Sequence, residues 1–315
     1  MNLLDGMRYL VALEQHRHFG RAAVACHITQ PALSNALRAL EKELGVAIVR
    51  RGRSYEGLTP EGQRVLETAQ RLLRESELLR QDLHSDAGRP QGSLSIGAVP
   101  TAVPIAARFA AKLRTRYPGI RPIVRSHSSA EIEAGIESMA LDLALGYTDR
   151  IPPRSPRLRA FPQYVEQYFV LRRAQGETKA ALRFGPPMAW REAAGFAHCM
   201  LTREMHNRKI VDAAFQKAGV EVTPAIETNS IMTLVLSVLD GDVCAVLPGA
   251  LVAIARGYGG LEALPLREPE VLTPIGFMVA TAAPPTRALE AALTLAQDGA
   301  WLRHAAAHSG LMTAS

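Results

Sequence analysis

Thr29-Gln30-Pro31-Ala32-Leu33-Ser34-Asn35-Ala36-Leu37-Arg38-Ala39-Leu40-Glu41-Lys42-Glu43-Leu44-Gly45 is the stretch whose reading decides the fold. Thr29 is a good helix N-cap, and Pro31 falls in the first turn, where its missing N–H costs nothing. Gly45 ends the run as a C′ glycine. Between them Leu33, Ala36, Leu37, Leu40 and Leu44 recur three and four apart, which predicts a helix from about Gln30 to Leu44 with one buried stripe. The opposite face carries Gln30, Ser34, Asn35 and Arg38, then Glu41 and Lys42 a turn later. Glutamine and asparagine pair bidentately with adenine, and arginine with guanine.

The flanks agree with that reading. Leu4, Met7, Leu10, Val11 and Leu13 follow a helical period, and Phe19–Ala25 is a short Ala-rich helix that lets a neighbour approach closely. Cys26-His27-Ile28-Thr29 then connects the short helix tightly to the capped one. Short helix, tight turn and capped helix with a hydrogen-bonding outer face is the helix-turn-helix arrangement. After Gly45, Val46–Val49 and Glu56–Thr59 bracket the basic loop Arg50 to Tyr55, predicting a two-stranded wing whose arginines reach phosphates or a minor groove. Residues 1–60 hold eight Lys and Arg against five acids, half of the chain's net charge of +6 in a fifth of its length. A polyanionic partner fits that balance.

Thr59-Pro60-Glu61 opens a second helix, with N-cap, Pro at N1 and an acid at the positive end of the dipole. Val65, Ala69, Leu72, Ser76, Leu79 and Leu83 recur there at alternating spacings of four and three, a coiled-coil seam. At about 25 residues the helix exceeds the globular average of roughly 11–12, which favours a dimer-forming helix over one lying only on its own domain. Ser85–Ser93, rich in Gly and Pro, is a hinge.

Beyond the hinge, strands and helices alternate: strands near 94–99, 122–125, 142–146, 167–171, 197–201, 243–247 and 275–279, with helices at 105–117, 131–139, 207–218, 231–239 and from about Thr286. This pattern predicts parallel sheets covered by helices, in two lobes with a ligand cleft between them.

The stretch Phe19-Gly20-Arg21-Ala22-Ala23, His27–Ser34, Leu40-Glu41, Leu44-Gly45, Arg51 and Leu58-Thr59-Pro60-Glu61-Gly62 resembles the N-terminal domain of LysR-type transcriptional regulators, and the resemblance covers the whole chain. One departure is Val49, where the family usually has Phe; local repacking of the core is the expected consequence. The resemblance implies an N-terminal all-α winged helix-turn-helix over 1–58, a linker (dimerisation) helix over 59–87 and a hinge at 88–92. An α/β two-lobed periplasmic-binding-protein-like effector domain follows over 93–315, with lobe I about 93–163 and 273–300 and lobe II about 164–272. It implies a cytoplasmic bacterial homodimer or homotetramer that binds double-stranded promoter DNA, answers to a small-molecule effector and contacts RNA polymerase.

Carried over by residue, the base-reading set is Gln30, Pro31, Ser34, Asn35 and Arg38, with Arg51 and Arg53 on the wing. The resemblance also points to effector contacts at Thr101, Ser128, Ser129, Thr202 and Arg203, with Asn229 and Ser230 beside them. Helix N-termini and turns at these places suit a small organic anion, although Ser and Thr before helices commonly serve only as caps.

Other function classes find less support. Some members of the family sense peroxide through paired cysteines. Here Cys199 and Cys244 lie in apolar strands, Cys26 is read as core, and His206 stands where those sensors place the reactive cysteine. The sequence holds no Gly-x-Ser-x-Gly, Walker loop or His-Glu-x-x-His, so no enzyme, cofactor or metal is expected. His304 and His308, four apart, lack a third ligand nearby in sequence. A nonspecific DNA-compacting protein would need neither the base-reading face nor a large effector domain. The chain shows no secretory signal and no apolar run approaching the ~20 residues of a membrane span.

Overall fold

The computed structural model describes residues 2–52, 55–83, 89–152, 155, 157–174, 181–281 and 284–309. It comprises two compact units, one carrying the helices and hairpin up to Leu83 and the other the elements from Gly92 onward.

In the first unit α1 (Leu3–His16), α2 (Phe19–Ala25) and α3 (Gln30–Leu44) pack around Leu10, Leu13, Leu33, Leu37 and Leu40, all essentially inaccessible. β1 (Val49–Arg51) and β2 (Tyr55–Leu58) pair antiparallel as the wing. Val49 is buried in this core, so valine fills the position without opening a cleft to solvent. Leu44 departs from the expected stripe: at the last turn of α3 it is 39% exposed, because the chain turns away at Gly45 (φ 69°) and leaves nothing to cover it.

α4 (Pro60–Leu83) is the long helix. Its first turns pack on their own unit, with Leu66 and Ala69 buried and Val65 partly so. Further along, Leu72, Leu79 and Leu83 are 37%, 60% and 75% exposed. The expected seam therefore divides: Val65 and Ala69 serve the protomer's own core, and the later leucines remain available. Residues 84–88, part of the expected linker and hinge, lie outside the described residues.

In the second unit β3 (Gly92–Ala98), α5 (Val103–Arg116), β4 (Ile120–Ser126), α6 (Ser129–Glu137), β5 (Leu143–Tyr147) and β6 (Leu158–Glu166) build the first lobe. The chain crosses to β7 (Tyr168–Arg173), β8 (Arg183–Phe184), β9 (Met188–Ala189), α7 (Trp190–Ala193), β10 (Cys199–Leu201), α8 (His206–Lys217), β11 (Ile226–Thr228), α9 (Ile231–Asp240), β12 (Ala245–Pro248), α10 (Gly249–Ala255) and β13 (Leu261–Arg267). It then returns through β14 (Thr273–Ala280), α11 (Arg287–Ala296) and α12 (Gly299–Ala307) to the first lobe.

The sheets are mixed, which corrects the parallel expectation. Strand order in the first lobe is β4-β3-β5-β14-β6; β3, β4 and β5 run parallel, while β14 is antiparallel to both β5 and β6. In the second lobe β7 is antiparallel to β12 and β13. The cause is the double crossing: the strand that leaves the first sheet and the one that returns run side by side in opposite directions. Phe109, Phe277 and Trp301 stack at the centre of the first lobe, with centroids 4.5 and 5.0 Å from Phe109. The Trp301 indole N–H donates to Gln163 Oε1 at 2.6 Å, so its buried polar atom is satisfied.

Candidate functional site

Two sites emerge, one in each unit. In the first, Thr29 Oγ1 accepts from Ala32 N, Pro31 lies in the opening turn, and the stripe Leu33–Leu37–Leu40 is buried. Fixing that stripe turns the other face outward: Gln30, Pro31, Asn35 and Arg38 are exposed and Ser34 half-buried. None of the side chains of Gln30, Ser34, Asn35 or Arg38 holds a hydrogen bond or ion pair among the described residues. A face of unbonded donors and acceptors on a rigid helix is what base-edge reading requires. His18 caps α2, its Nδ1 accepting from the N–H groups of Gly20 and Arg21 at 3.1 and 3.3 Å.

Glu41 departs from the outer face on which its spacing placed it. Its Oε1 accepts from Ile48 N and Val49 N at 2.9 and 3.1 Å, pinning the start of the wing to α3. Tyr55, on the other wing strand, donates to Glu14 of α1 and meets Phe19 edge-on at 6.2 Å. Burial first, and then that carboxylate, push the Tyr55 phenol well above its ordinary pKa. Thr59 Oγ1 donates to Ala47 O at 2.6 Å and accepts from Gly62 N at 2.9 Å, tying the start of α4 to the same wing. Arg50 on β1 is exposed. The side chain of Arg51, and the whole of Arg53, lie outside the described residues.

The second site is a narrow, closed cleft between the lobes, with about 10 Å³ of free space. Val99, Pro100, Thr101, Ser128, Ser129 and Tyr147 line it from the first lobe, and Leu201, Met205, His206 and Asn207 from the second. Three expected residues, Thr101, Ser128 and Ser129, thus come together. Ser128 is also the cap of α6: its N–H donates to Glu131 Oε2 at 2.7 Å, and its Oγ accepts from Glu131 N. Those bonds hold the Glu131 carboxyl below its ordinary pKa.

Thr202, Arg203 and Ser230 do not join this lining. Thr202 Oγ1 donates to Glu204 at 2.6 Å, Arg203 is exposed, and Ser230 Oγ caps α9 by accepting from Thr233 N. Arg208, which the sequence reading passed over, is 3% exposed. It braces the second lobe by donating to Asp212, Glu227 and the Leu201 carbonyl at 2.7–2.8 Å.

At the base of the cleft lies a polar cluster of which the sequence reading named only Thr101. The Thr101 and Tyr147 hydroxyls are 3.0 Å apart, and Asn207 Nδ2 donates to Tyr168 Oη at 3.2 Å. Glu166 is wholly buried beside them, and burial pushes its carboxyl up to about 8, with the neighbouring Thr101 hydroxyl offsetting only part of that. Thr101 is close enough to favour the carboxylate, yet the two oxygens of Glu166 hold no partner in good hydrogen-bonding geometry. At the rim, His206 packs on Tyr147 with centroids 4.6 Å apart, and Arg150 Nη1 lies 3.4 Å from its Nδ1. Burial and then the Arg150 charge hold its imidazole below the ordinary pKa, hence neutral at pH 7.

The thiols are placed differently. Cys199 and Cys244 are buried in the second lobe and Cys26 half-buried in the first unit, all free. His198 Nε2 donates to Ala193 O at 2.9 Å, which leaves Nδ1 to accept from the Cys244 thiol at 3.4 Å. Burial pushes Cys244 up to about 12 and raises Cys199 and Cys26 as well. No cysteine lines the cleft. His304 and His308 stack at 4.4 Å, with one His308 nitrogen committed to the His304 carbonyl. No group of three metal-ligating side chains occurs among the described residues, and no helix there is long and apolar enough to cross a membrane.

Comparison with known proteins places these features. The family description for bacterial regulatory helix-turn-helix proteins of the lysR family matches residues 4–63, and that for the LysR substrate binding domain matches residues 87–301. A hydrogen peroxide-inducible genes activator of Pectobacterium carotovorum is 28% identical over 284 residues, spanning 86% of this chain and 87% of its own. An SDS degradation transcriptional activation protein of a Pseudomonas strain is 32% identical over 271 residues, spanning 84% and 85%. Among solved structures, a full-length OxyR of Pseudomonas aeruginosa with a cysteine-to-aspartate substitution superimposes with a TM-score of 0.67 at 25% identity, covering 92% of this chain and 96% of that one.

Proposed function

The chain belongs to the LysR-type family of DNA-binding transcriptional regulators, and from that premise we propose that it reads a specific promoter sequence and responds to a small polar molecule held between the lobes of its effector domain. The observation that carries the DNA half is the outward face of α3, where Gln30, Asn35 and Arg38 are exposed and unbonded on a helix fixed by its buried leucines. Pro31 and Ser34 complete that surface, and Arg51 and Arg53 serve the wing. The exposed leucines of α4 support assembly as a homodimer or homotetramer. Working at a promoter places the protein in the cytoplasm, with RNA polymerase as its further partner.

Thr101, Ser128 and Ser129 carry the effector half, and Thr202, Arg203 and Ser230 stay in the proposal as residues that join only when the lobes rearrange. A hydroxyl and imidazole wall suits an acceptor such as the carboxylate of an organic anion. A thiol-redox response is a second reading, favoured by the likeness to a peroxide-inducible activator. The raised thiol pKa values and a cleft without cysteine favour the effector reading over it.

The test is selection of bound fragments from intergenic DNA of the source genome, followed by Arg38→Ala on the selected site. Loss of about 1–3 kcal/mol with relaxed preference at one base pair is expected. Equal loss on every sequence would move Arg38 to the phosphates, and no enrichment at all would end the proposal.

A further inference from the structure

The two lobes meet closely, with about 10 Å³ free between them, and the contacts across the boundary are of two kinds. Ala250 and Ile210 of the second lobe pack against the core of the first, and apolar contacts of this kind do not change with pH. The other kind is polar and runs through His206, the first residue of α8. Its ring packs on Tyr147 of the first lobe with centroids 4.6 Å apart, and Arg150 Nη1 lies 3.4 Å from its Nδ1. Arg150 is itself held from α6: its Nε donates to Glu133 Oε1 at 3.0 Å, and its Nη2 lies 3.0 Å from the same oxygen. Arg150 can only donate, so His206 Nδ1 accepts, and it accepts only while the ring is neutral.

We propose that Glu133, Arg150 and His206 form a clasp across the lobe boundary, closed while the imidazole is neutral and released when it takes a proton. An imidazolium has no lone pair to offer Arg150, so two cations confront each other where a hydrogen bond stood. The charged groups facing His206 are Arg150 and Asp149 from the turn after β5, Glu133 from α6 and Lys209 from its own helix. Tyr147 beneath it is held protonated by burial and adds no charge. Two cations thus meet two acids, but Glu133 is already engaged by Arg150, and the N-terminus of α8 adds its positive dipole end. Burial weighs further against the imidazolium as long as the lobes stay shut. Parting the lobes returns the ring to water and removes that penalty, so protonation and opening favour each other. The clasp acts on the lobes themselves, whatever molecule the seam admits.

Distances between spin labels on the full-length chain test this, with Ala130→Cys on α6 and Ala213→Cys on α8 in a Cys26→Ser background, labelled protomers being diluted in unlabelled chain. Both positions are exposed, on helices from opposite lobes, while Cys199 and Cys244 are buried from the label. At about pH 7.5 the short distance is expected to dominate. By about pH 5.5 the ratio of long to short is expected to rise by up to about tenfold, since the freed ring titrates near the ordinary 6.5. His206→Gln keeps an acceptor and cannot gain a proton, so it is expected to hold the short distance at both pH values. Arg150→Met is expected to show a larger share of the long distance already at about pH 7.5. A ratio that does not move with pH overturns the proposal, as does one that moves equally in His206→Gln. So does an Arg150→Met distribution identical to that of the wild type. Circular dichroism at each pH separates opening from unfolding, and helix content lost together with the short distance counts against the clasp.

Discussion

Glu166→Gln is expected to remove a pH dependence from the stability of the effector domain. Burial in the folded chain pushes the carboxyl up to about 8, against an ordinary 4.5. Between those values the folded chain keeps a proton that the unfolded chain gives up. Stability is therefore greatest at or below the unfolded value, declines as pH rises, and levels above the folded one. Each pH unit corresponds to about 1.4 kcal/mol, so on the order of 2–3 kcal/mol is lost from this group between pH 6 and 8. His198 and His206, with folded pKa values held low, act in the opposite sense below their ordinary 6.5. Comparing wild type with Glu166→Gln at each pH cancels them. Both tryptophans of the chain, Trp190 and Trp301, are fully buried in the effector domain, so urea denaturation followed by their fluorescence reads this unit alone. A stability gap between the two proteins that stays constant from pH 6 to 8 would show that Glu166 is already ionised in the fold, and the reasoning about its burial would fail.

Gly62→Ala places a Cβ 2.1 Å from the Ile48 carbonyl oxygen, a backbone clash at the joint of α4 and the wing. A loss of about 1–3 kcal/mol from the DNA-binding unit is expected in thermal denaturation followed by circular dichroism; a neutral change contradicts the close approach. Leu79→Asp on the exposed part of α4 is expected to give a slower-sedimenting species with unchanged helix content, and an unaltered oligomer would remove the dimer role of that face. Peroxide treatment is expected to leave promoter binding unchanged, because burial keeps all three thiols protonated. A peroxide-dependent footprint lost on replacing Cys199 or Cys244 would restore the thiol reading.

What was legible in the sequence was what repeats. The stripe Leu33–Leu37–Leu40 and the caps Thr29 and Gly45 determine how α3 lies, and from that the outward residues follow without coordinates. Periodicity says nothing about which neighbour covers a stripe, so the α4 seam read as continuous although Val65 and Ala69 turn toward their own unit. The strand β6, with Pro162 in its middle, and β13, with Pro265, did not read as strands, and with them went the two crossings and the antiparallel pairings. Ser128 and Ser230 look identical in sequence, each a serine before a helix. Both cap, but only Ser128 faces the cleft, because only its helix begins at the lobe boundary.

Glu166 escaped notice for a more specific reason. In Tyr164-Val165-Glu166-Gln167 an alternating strand could bury either Val165 or its two neighbours, and hydrophobicity favours the valine. The structure does the reverse, leaving Val165 47% exposed and Glu166 inaccessible. The phase is set upstream. β14 pairs Gly276 with Pro162 but Ile275 with Tyr164, so Gln163 is an extra residue in β6, a bulge. A bulge re-aims every side chain beyond it. Gln163 itself is kept inside by donating to the Ala296 carbonyl and accepting from the Trp301 indole. Opposite it, a Cβ on Gly276 would come within 2.8 Å of the Phe161 carbonyl oxygen, so the bulge needs glycine there. One inserted residue thus turns an apolar side chain to solvent and an acid beneath the cleft. That exchange opposes burial energetics at both positions, and the Glu166 carboxyl responds by keeping its proton up to about pH 8.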